Sequence, residues 1–183
     1  MVIRIEGFAI VSEEGMLADA KGAMPSELVI DADQEFLSGR LDRADLLVHG
    51  RNSHEKQPWS ARRHRLIASR KIKSVASFEH HPRALIWNPA GASLEGAAAM
   101  LGVRLGMAAI LGGPQIYGLF LPRYDIFHLS QVAGLRMPGG LGVFPQVPQL
   151  CPKAVLAANG LAKVWERHLD LSSVVMVSTW RRQ

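Results

Sequence analysis

Apolar and polar positions follow two rhythms along this chain. Short apolar or alternating runs fall at Ile3 to Val11, Leu46-Leu47-Val48, Arg65 to Ala68, Ala84 to Trp87, Met107 to Leu111 and Ile126 to Ser130, and read as strands. Helical spacing appears between them. Asp31 to Leu41 carries Ala32, Phe36, Leu37 and Leu41; Ser93 to Leu101 opens on a capping serine; Pro114 to Phe120 follows a Gly-Gly pair with proline in its first turn. Near the end, Lys163 to Leu171 and Val174 to Trp180 predict two long strands joined by a short turn. Trp165 and Leu169 would share one face, Glu166 and His168 the other, with Val164 out of step. Strands alternating with helices predict an α/β domain, with a mostly parallel sheet flanked by helices and an antiparallel C-terminal hairpin at one edge. Two long connections stand out: Ser12 to Leu28, and Met137 to Pro152 with its many glycines and prolines. Connections of this length are often functional.

Composition narrows the picture. The 183 residues are 48% hydrophobic and 20% charged, which suits one globular domain spanning 1–183. No apolar run approaches the ~18 residues of a membrane span, and the charged start MVIRIEGFAIV reads as a strand rather than a leader. Cys151 is the only cysteine, so no internal disulfide forms and a reducing cytoplasm is expected. The net charge of +5 is dispersed in short groups such as Arg62-Arg63-His64-Arg65 and Arg70-Lys71-Lys73. That arrangement suggests no nucleic-acid partner; it leaves either solvated surface charge or the rim of a phosphate site. Neighbouring histidines such as His80-His81 lack ligand spacing, so no metal is expected. Cys151 has no evident base beside it. A homodimer is left open.

Three strand ends carry groups that suit a phosphate. In Ile110-Leu111-Gly112-Gly113-Pro114-Gln115-Ile116-Tyr117 an apolar strand ends in two glycines and a helix begins at once. Glycines let a ligand approach the backbone, and the first turn of a helix has free N–H groups, although a plain strand–turn–helix corner would look the same. In Leu46 to His54, the strand passes through Gly50 into Arg51, Asn52 and Ser53; Leu66 to Arg70 ends in Ser69-Arg70. Together they predict a ligand site at the carboxyl edge of the sheet.

These segments resemble a known family. Leu111-Gly112-Gly113 through Ile116-Tyr117, then Phe120-Leu121-Pro122, then Ile126 to Ser130, resembles the I-G-G-x-x-V-Y…F-L-P…L-Y-L-T block of dihydrofolate reductases. Val48-His49-Gly50-Arg51-Asn52-Ser53 resembles their M-G-R-x-T block. Gly22-Ala23-Met24-Pro25 resembles the tail of their mobile loop, and Phe144-Pro145 a later F-P pair. The matches follow the family's order from about Phe8 to the final hairpin. Ser12 to Ala18 looks more like the reductase domains of riboflavin biosynthesis, which share the fold.

The resemblance implies a three-layer dihydrofolate-reductase-like fold and NADPH as cofactor. Gly112, Gly113 and the turn through Pro114, Gln115, Ile116 and Tyr117 would hold the pyrophosphate, with Gly50, Arg51, Asn52 and Ser53 beside it. Ser69 and Arg70 would meet the 2′-phosphate. Leu111, Ile10 and Leu37 would line the substrate pocket, and Arg63 would grip a folate carboxylate, unless it is simply a solvated arginine. Ser130 would hydrogen-bond the catalytic acid.

That acid is Asp33 or Asp31. A helix turns ~100° per residue, so the two cannot face the same way. Asp33 falls on the face of Phe36, Leu37 and Leu41, whereas Asp31 with Gln34 looks like a capping pair. Ile30-x-Ala32-Asp33-x-x-Phe36-Leu37 also resembles the family's L-x-A-D-x-x-W-F, which favours Asp33. The implied activity is NADPH-dependent reduction of dihydrofolate or a related dihydropterin. Three departures surround the substrate. Ser26 stands where tryptophan is usual, about two extra residues precede the helix, and Gly142-Val143 replaces Asp-Thr. They keep open a riboflavin-pathway-like pyrimidine reductase and a non-catalytic nucleotide-binding module.

Overall fold

Alternation along the first strand sets the layers. In the computed structural model, which describes residues 3–51, 60–169 and 174–183, even and odd residues of that strand bury against different partners. Its elements in chain order are β1 (Ile3–Val11), β2 (Met16–Ala18), α1 (Asp31–Leu41), β3 (Leu46–Gly50), β4 (Arg65–Ala68), β5 (Val75–Ser77), β6 (Ala84–Trp87), α2 (Leu94–Met100), β7 (Gly106–Ile110), α3 (Pro114–Phe120), β8 (Ile126–Val132), β9 (Leu141–Gly142), α4 (Pro152–Ala158), β10 (Leu161–His168) and β11 (Val175–Arg182).

Nine strands form one sheet in the order β10-β11-β8-β1-β7-β3-β4-β6-β5. The run from β8 to β6 is parallel; β11 and β10 add antiparallel strands at one edge and β5 at the other. One face packs Phe8, Leu47, Ala109 and Leu111 against Leu41, Phe36 and Leu37 of α1. The other packs Ile5, Val48, Ile110 and Leu129 against Leu94 and Ala97 of α2, Tyr117 and Phe120 of α3, and Val155 and Leu156 of α4. Each fully buried side chain of this kind stabilises the fold by about 1.5–3 kcal/mol, which is why the alternation fixes the layering. The result is three layers, with α1 over the face that will matter chemically.

The predicted parallel sheet and C-terminal hairpin are present. A register shift between Lys163 and Trp165 accommodates the out-of-step Val164. The expected strand end at Leu171 lies outside the described residues. Ser93 does cap α2, accepting a hydrogen bond from the Gly96 N–H at 3.1 Å. The capping reading of Asp31 is corrected. Ile30 is the cap residue of α1, Asp31 is already helical, and no side chain caps this end. The 137–152 connection hides β9, and α4 starts at Pro152, where the predicted loop should have ended. No helix among the described residues is long and apolar enough to cross a membrane.

Candidate active site

Parallel strands deliver their following loops to one edge. Gly50 ends β3 and Arg51 follows it, Ser69 to Lys71 follow β4, 88–90 follow β6, and Leu111 to Gly113 follow β7. All line a single cavity of about 1030 Å³, together with Ile10 of β1, Ser130 of β8 and Asp33 of α1. β8 and β4 are four strand steps apart, so this cavity spans about 19 Å of sheet from Ser130 to Ser69 at ~4.8 Å per step.

One end is built around a carboxylate. Asp33, Leu37 and Leu41 follow one another at helical spacing of four, which turns Asp33 toward the sheet beside apolar residues and leaves it 6% exposed. Burial raises its pKa above the usual carboxylate value, and a hydrogen bond from the Ser130 hydroxyl partly opposes the rise. Phe8, Ile10, Phe36, Leu37 and Leu111 supply apolar walls. A pocket of this kind sets one buried, hydrogen-bonding carboxyl group among apolar walls.

Behind it lies a buried polar trio that the sequence reading did not anticipate. His128 also lines the cavity, two residues before Ser130 on the same face of β8. Its Nδ1 lies 2.7 Å from Thr179 Oγ1 on β11, and its Nε2 lies 3.6 Å from Oε2 of Glu6 on β1. Arg4 Nε pairs with the other Glu6 oxygen at 2.8 Å. The imidazole stacks on Phe8, with ring centroids 4.9 Å apart, and meets the edge of Phe36. Burial alone would lift the Glu6 carboxyl, but His128, Arg4 and Arg40 together hold it below the ordinary range. Burial pushes the His128 pKa down against the pull of Glu6.

Both shifts work in the same direction on stability. A depressed carboxyl stabilises the fold above its ordinary pKa, and that contribution is lost as pH falls through the lowered value. A depressed imidazole makes the fold resist protonation, so stability declines once pH drops below about 6.5. Asp33, raised by burial, acts in the opposite sense. We expect the melting temperature to fall from about pH 7 to about pH 4, and the Glu6→Gln/His128→Phe double variant to show a shallower decline. Identical slopes in melts of the two proteins would remove the pair from the acid response.

The other end is cationic. Arg51, Ser69, Arg70 and Lys71 line it, and the Ser69 hydroxyl accepts the Lys71 backbone N–H at 3.2 Å, holding the turn that presents them. Gly112 and Gly113 sit between the two ends. Gly50 N–H donates to Gly112 O at 2.8 Å, and Leu111 N–H to Val48 O at 2.9 Å, so two of the strand ends are stitched together. Gly112 has φ +110°, and a Cβ there would lie 2.9 Å from the Tyr117 ring. The Tyr117 hydroxyl in turn donates to the Phe8 carbonyl, tying α3 to β1. Pro114, Gln115, Ile116 and Tyr117 also line the cavity.

Of the residues singled out in the sequence, Asn52 and Ser53 lie outside the described residues. Arg63 is not brought to the cavity. Its guanidinium donates to the Leu41 carbonyl and pairs with Asp42 at 2.7 Å, at the end of α1 rather than in the cavity lining. Lys21, Lys71, Phe8 and His128 were missed. Phe8 and His128 had a legible signal, since strand alternation places them two residues before Ile10 and Ser130 on the same faces.

The 12–28 and 133–142 segments meet over the cavity. β2 pairs with β9, Glu13 N–H donates to Leu135 O at 2.9 Å, and Val143 N–H to Gly15 O at 2.9 Å. Leu17, Lys21 and Met24 from the first segment and Leu141 from the second line the cavity.

No protein-family model matches the chain, and no curated protein sequence does. Solved structures do. A putative riboflavin biosynthesis protein from Shewanella sp. PV-4 superposes with TM-score 0.68 at 16% identity, over 99% of both chains. Dihydrofolate reductase from Enterococcus faecalis, complexed with NADP(H) and RAB-propyl, gives 0.64 at 15%, over 98% of this chain and 96% of that one. This protein has the dihydrofolate-reductase-like fold. A diaminohydroxyphosphoribosylaminopyrimidine deaminase/5-amino-6-(5-phosphoribosylamino)uracil reductase from Thermotoga maritima gives 0.66 at 15%; the match covers 99% of this chain and 57% of that protein's length. Within the dihydrofolate-reductase-like fold, then, this chain places an acid and a group of cations at opposite ends of one cavity.

Proposed function

We propose that the protein is an NADPH-dependent reductase of a dihydropterin-type substrate. The observation that carries this reading is the two-ended cavity, with the buried Asp33 and Ser130 at one end, Arg51, Ser69, Arg70 and Lys71 at the other, and side-chain-free Gly112-Gly113 between. The residues fit the cofactor. A volume of about 1030 Å³ is at the upper end of small-molecule sites, as two ligands end to end require. A Cβ on Gly113 would meet nothing within 4 Å, so the wall there is open to a ligand backbone such as a pyrophosphate.

Arg51, Ser69, Arg70 and Lys71 would hold the phosphates of the adenosine half. NADPH, when bound, supplies a hydride. Asp33 accepts two hydrogen bonds from the amino group and ring N–H of the pterin, and its negative charge favours the protonated form of the C=N bond being reduced. The proton reaches the ring nitrogen from water. Ser130 keeps the carboxylate oriented, and the paired 12–28 and 133–142 segments exclude bulk water from the rings.

A riboflavin-pathway-like reductase acting on a ribosylaminopyrimidine is the second reading. Its support is the end-to-end superposition on the Shewanella protein. NADPH oxidation followed by absorbance with a dihydropterin, and separately with a ribosylaminopyrimidine, tests both. Turnover with the dihydropterin supports the first reading, and turnover with the pyrimidine alone supports the second. Binding of NADPH without turnover of either leaves a nucleotide-binding module.

A further inference from the structure

We propose that the substrate is a compact dihydropterin with a short, uncharged substituent, and that the pocket selects against substrates with an anionic tail. The inference rests on the reductase reading above and names its substrate class. It comes from where the charges lie. The cations lining the cavity after β3 and β4 are Arg51, about 14 Å across the sheet from the Ser130 strand, and Arg70 and Lys71, about 19 Å across it. Both exceed the ~8–10 Å over which exposed charges act in physiological salt.

Near the Asp33 end, four described arginines have partners elsewhere. Arg63 is paired with Asp42 and the Leu41 carbonyl. Arg4 is paired with Glu6. Arg40 lies over the Phe36 ring at 5.4 Å, and Arg167 over Trp165 at 5.5 Å. None of these four lines the cavity. Lys21 does, but as an exposed side chain on the 12–28 segment, where attraction for an anion is screened. Asp33 itself is a buried carboxylate, with a second one, Glu6, behind it.

A glutamate or phosphate tail entering this end would therefore shed water without gaining a buried cation among the described residues, close to two buried carboxyl groups. A neutral or cationic ring has no such penalty, and Asp33 rewards its N–H groups. The pocket thus discriminates by withholding a partner as much as by offering one.

The test uses the purified full chain with saturating NADPH. Two dihydropterins are compared as substrates: 7,8-dihydrobiopterin, whose side chain is uncharged, and 7,8-dihydrofolate, whose tail carries two carboxylates. Binding of biopterin and of folic acid is titrated in parallel by protein fluorescence at low and high salt. We expect the uncharged side chain to be favoured by at least about tenfold in both kcat/KM and affinity, the scale of one charge-assisted hydrogen bond left unmade. Added salt should not weaken folic acid further, and Arg63→Ala should leave the ratio of the two affinities unchanged. Equal or tighter binding of folic acid, weakening with salt, overturns the inference while leaving the reductase reading intact. So does a selective loss of folic acid in Arg63→Ala. If neither pterin binds although NADPH does, the dihydropterin reading itself fails and the inference falls with it.

Discussion

Asp33→Asn should leave the protein folded, raise its melting temperature by a few degrees, and remove nearly all turnover. Asparagine keeps the size of the side chain and can still accept from the Ser130 hydroxyl. It cannot carry the charge that favours a protonated substrate, so kcat with a dihydropterin should fall by about 10²–10⁴. The stability gain follows from burial. Asp33 is 6% exposed and its pKa is raised, because the apolar setting disfavours its ionised form. With a folded pKa above the unfolded one, the wild type gains stability as pH falls through that window and carries the full penalty above it. The variant should lose that pH dependence.

Asp31→Asn is the control. Asp31 sits in the first turn of α1 without a capping bond, so its loss should change stability by only about 0.3–1 kcal/mol and leave turnover alone. Melts and steady-state rates of both variants decide the matter. A dead Asp31→Asn beside an active Asp33→Asn would put the acid on the wrong face of α1.

Arg70→Ala should weaken NADPH binding by roughly 1–3 kcal/mol, or about 5–150-fold, and leave NADH binding nearly unchanged. Ser69, Arg70 and Lys71 follow β4 at the cationic end, with Arg51 from β3 beside them. An additional phosphate is what such a group distinguishes, because the two cofactors differ there by charge. The wild-type preference should shrink as salt is added, since Arg70 and Lys71 are exposed. Fluorescence titration of both cofactors measures all of this, and equal losses for NADPH and NADH would refute the assignment.

The sequence made the framework legible where local signals were strong. β1, β4, β6, α1 and α3 have the bounds that hydrophobic spacing, proline and glycine implied, because each satisfies its pattern over consecutive residues. β2, β5 and β9 are two or three residues long, too short for any period to show. α4 was masked by the prolines and glycines before it, although Pro152 is itself a good first-turn residue. Asp33 could be separated from Asp31 by helix geometry alone. Glu6 and His128 could not be paired, because β1 and β8 are neighbours only through a parallel register joining residues some 120 positions apart. The surroundings of Arg63 were hidden for a similar reason. Its partner Asp42 belongs to the end of another element, and nothing local says which carboxylate an arginine will reach.

The seam between the two segments over the cavity has a practical consequence. Gly15 lies at that seam, and its Cα packs so close to Pro152 that an added Cβ would sit 2.3 Å from the proline ring. Cys151, the residue before it, is exposed and is the chain's only thiol. Nature has left a single chemical handle next to the Gly15–Pro152 contact of the cover. A maleimide dye attached there needs no engineered cysteine, and its emission would follow the cover directly as ligands arrive. Ligand arrival and chemistry could then be timed separately in the unmodified sequence.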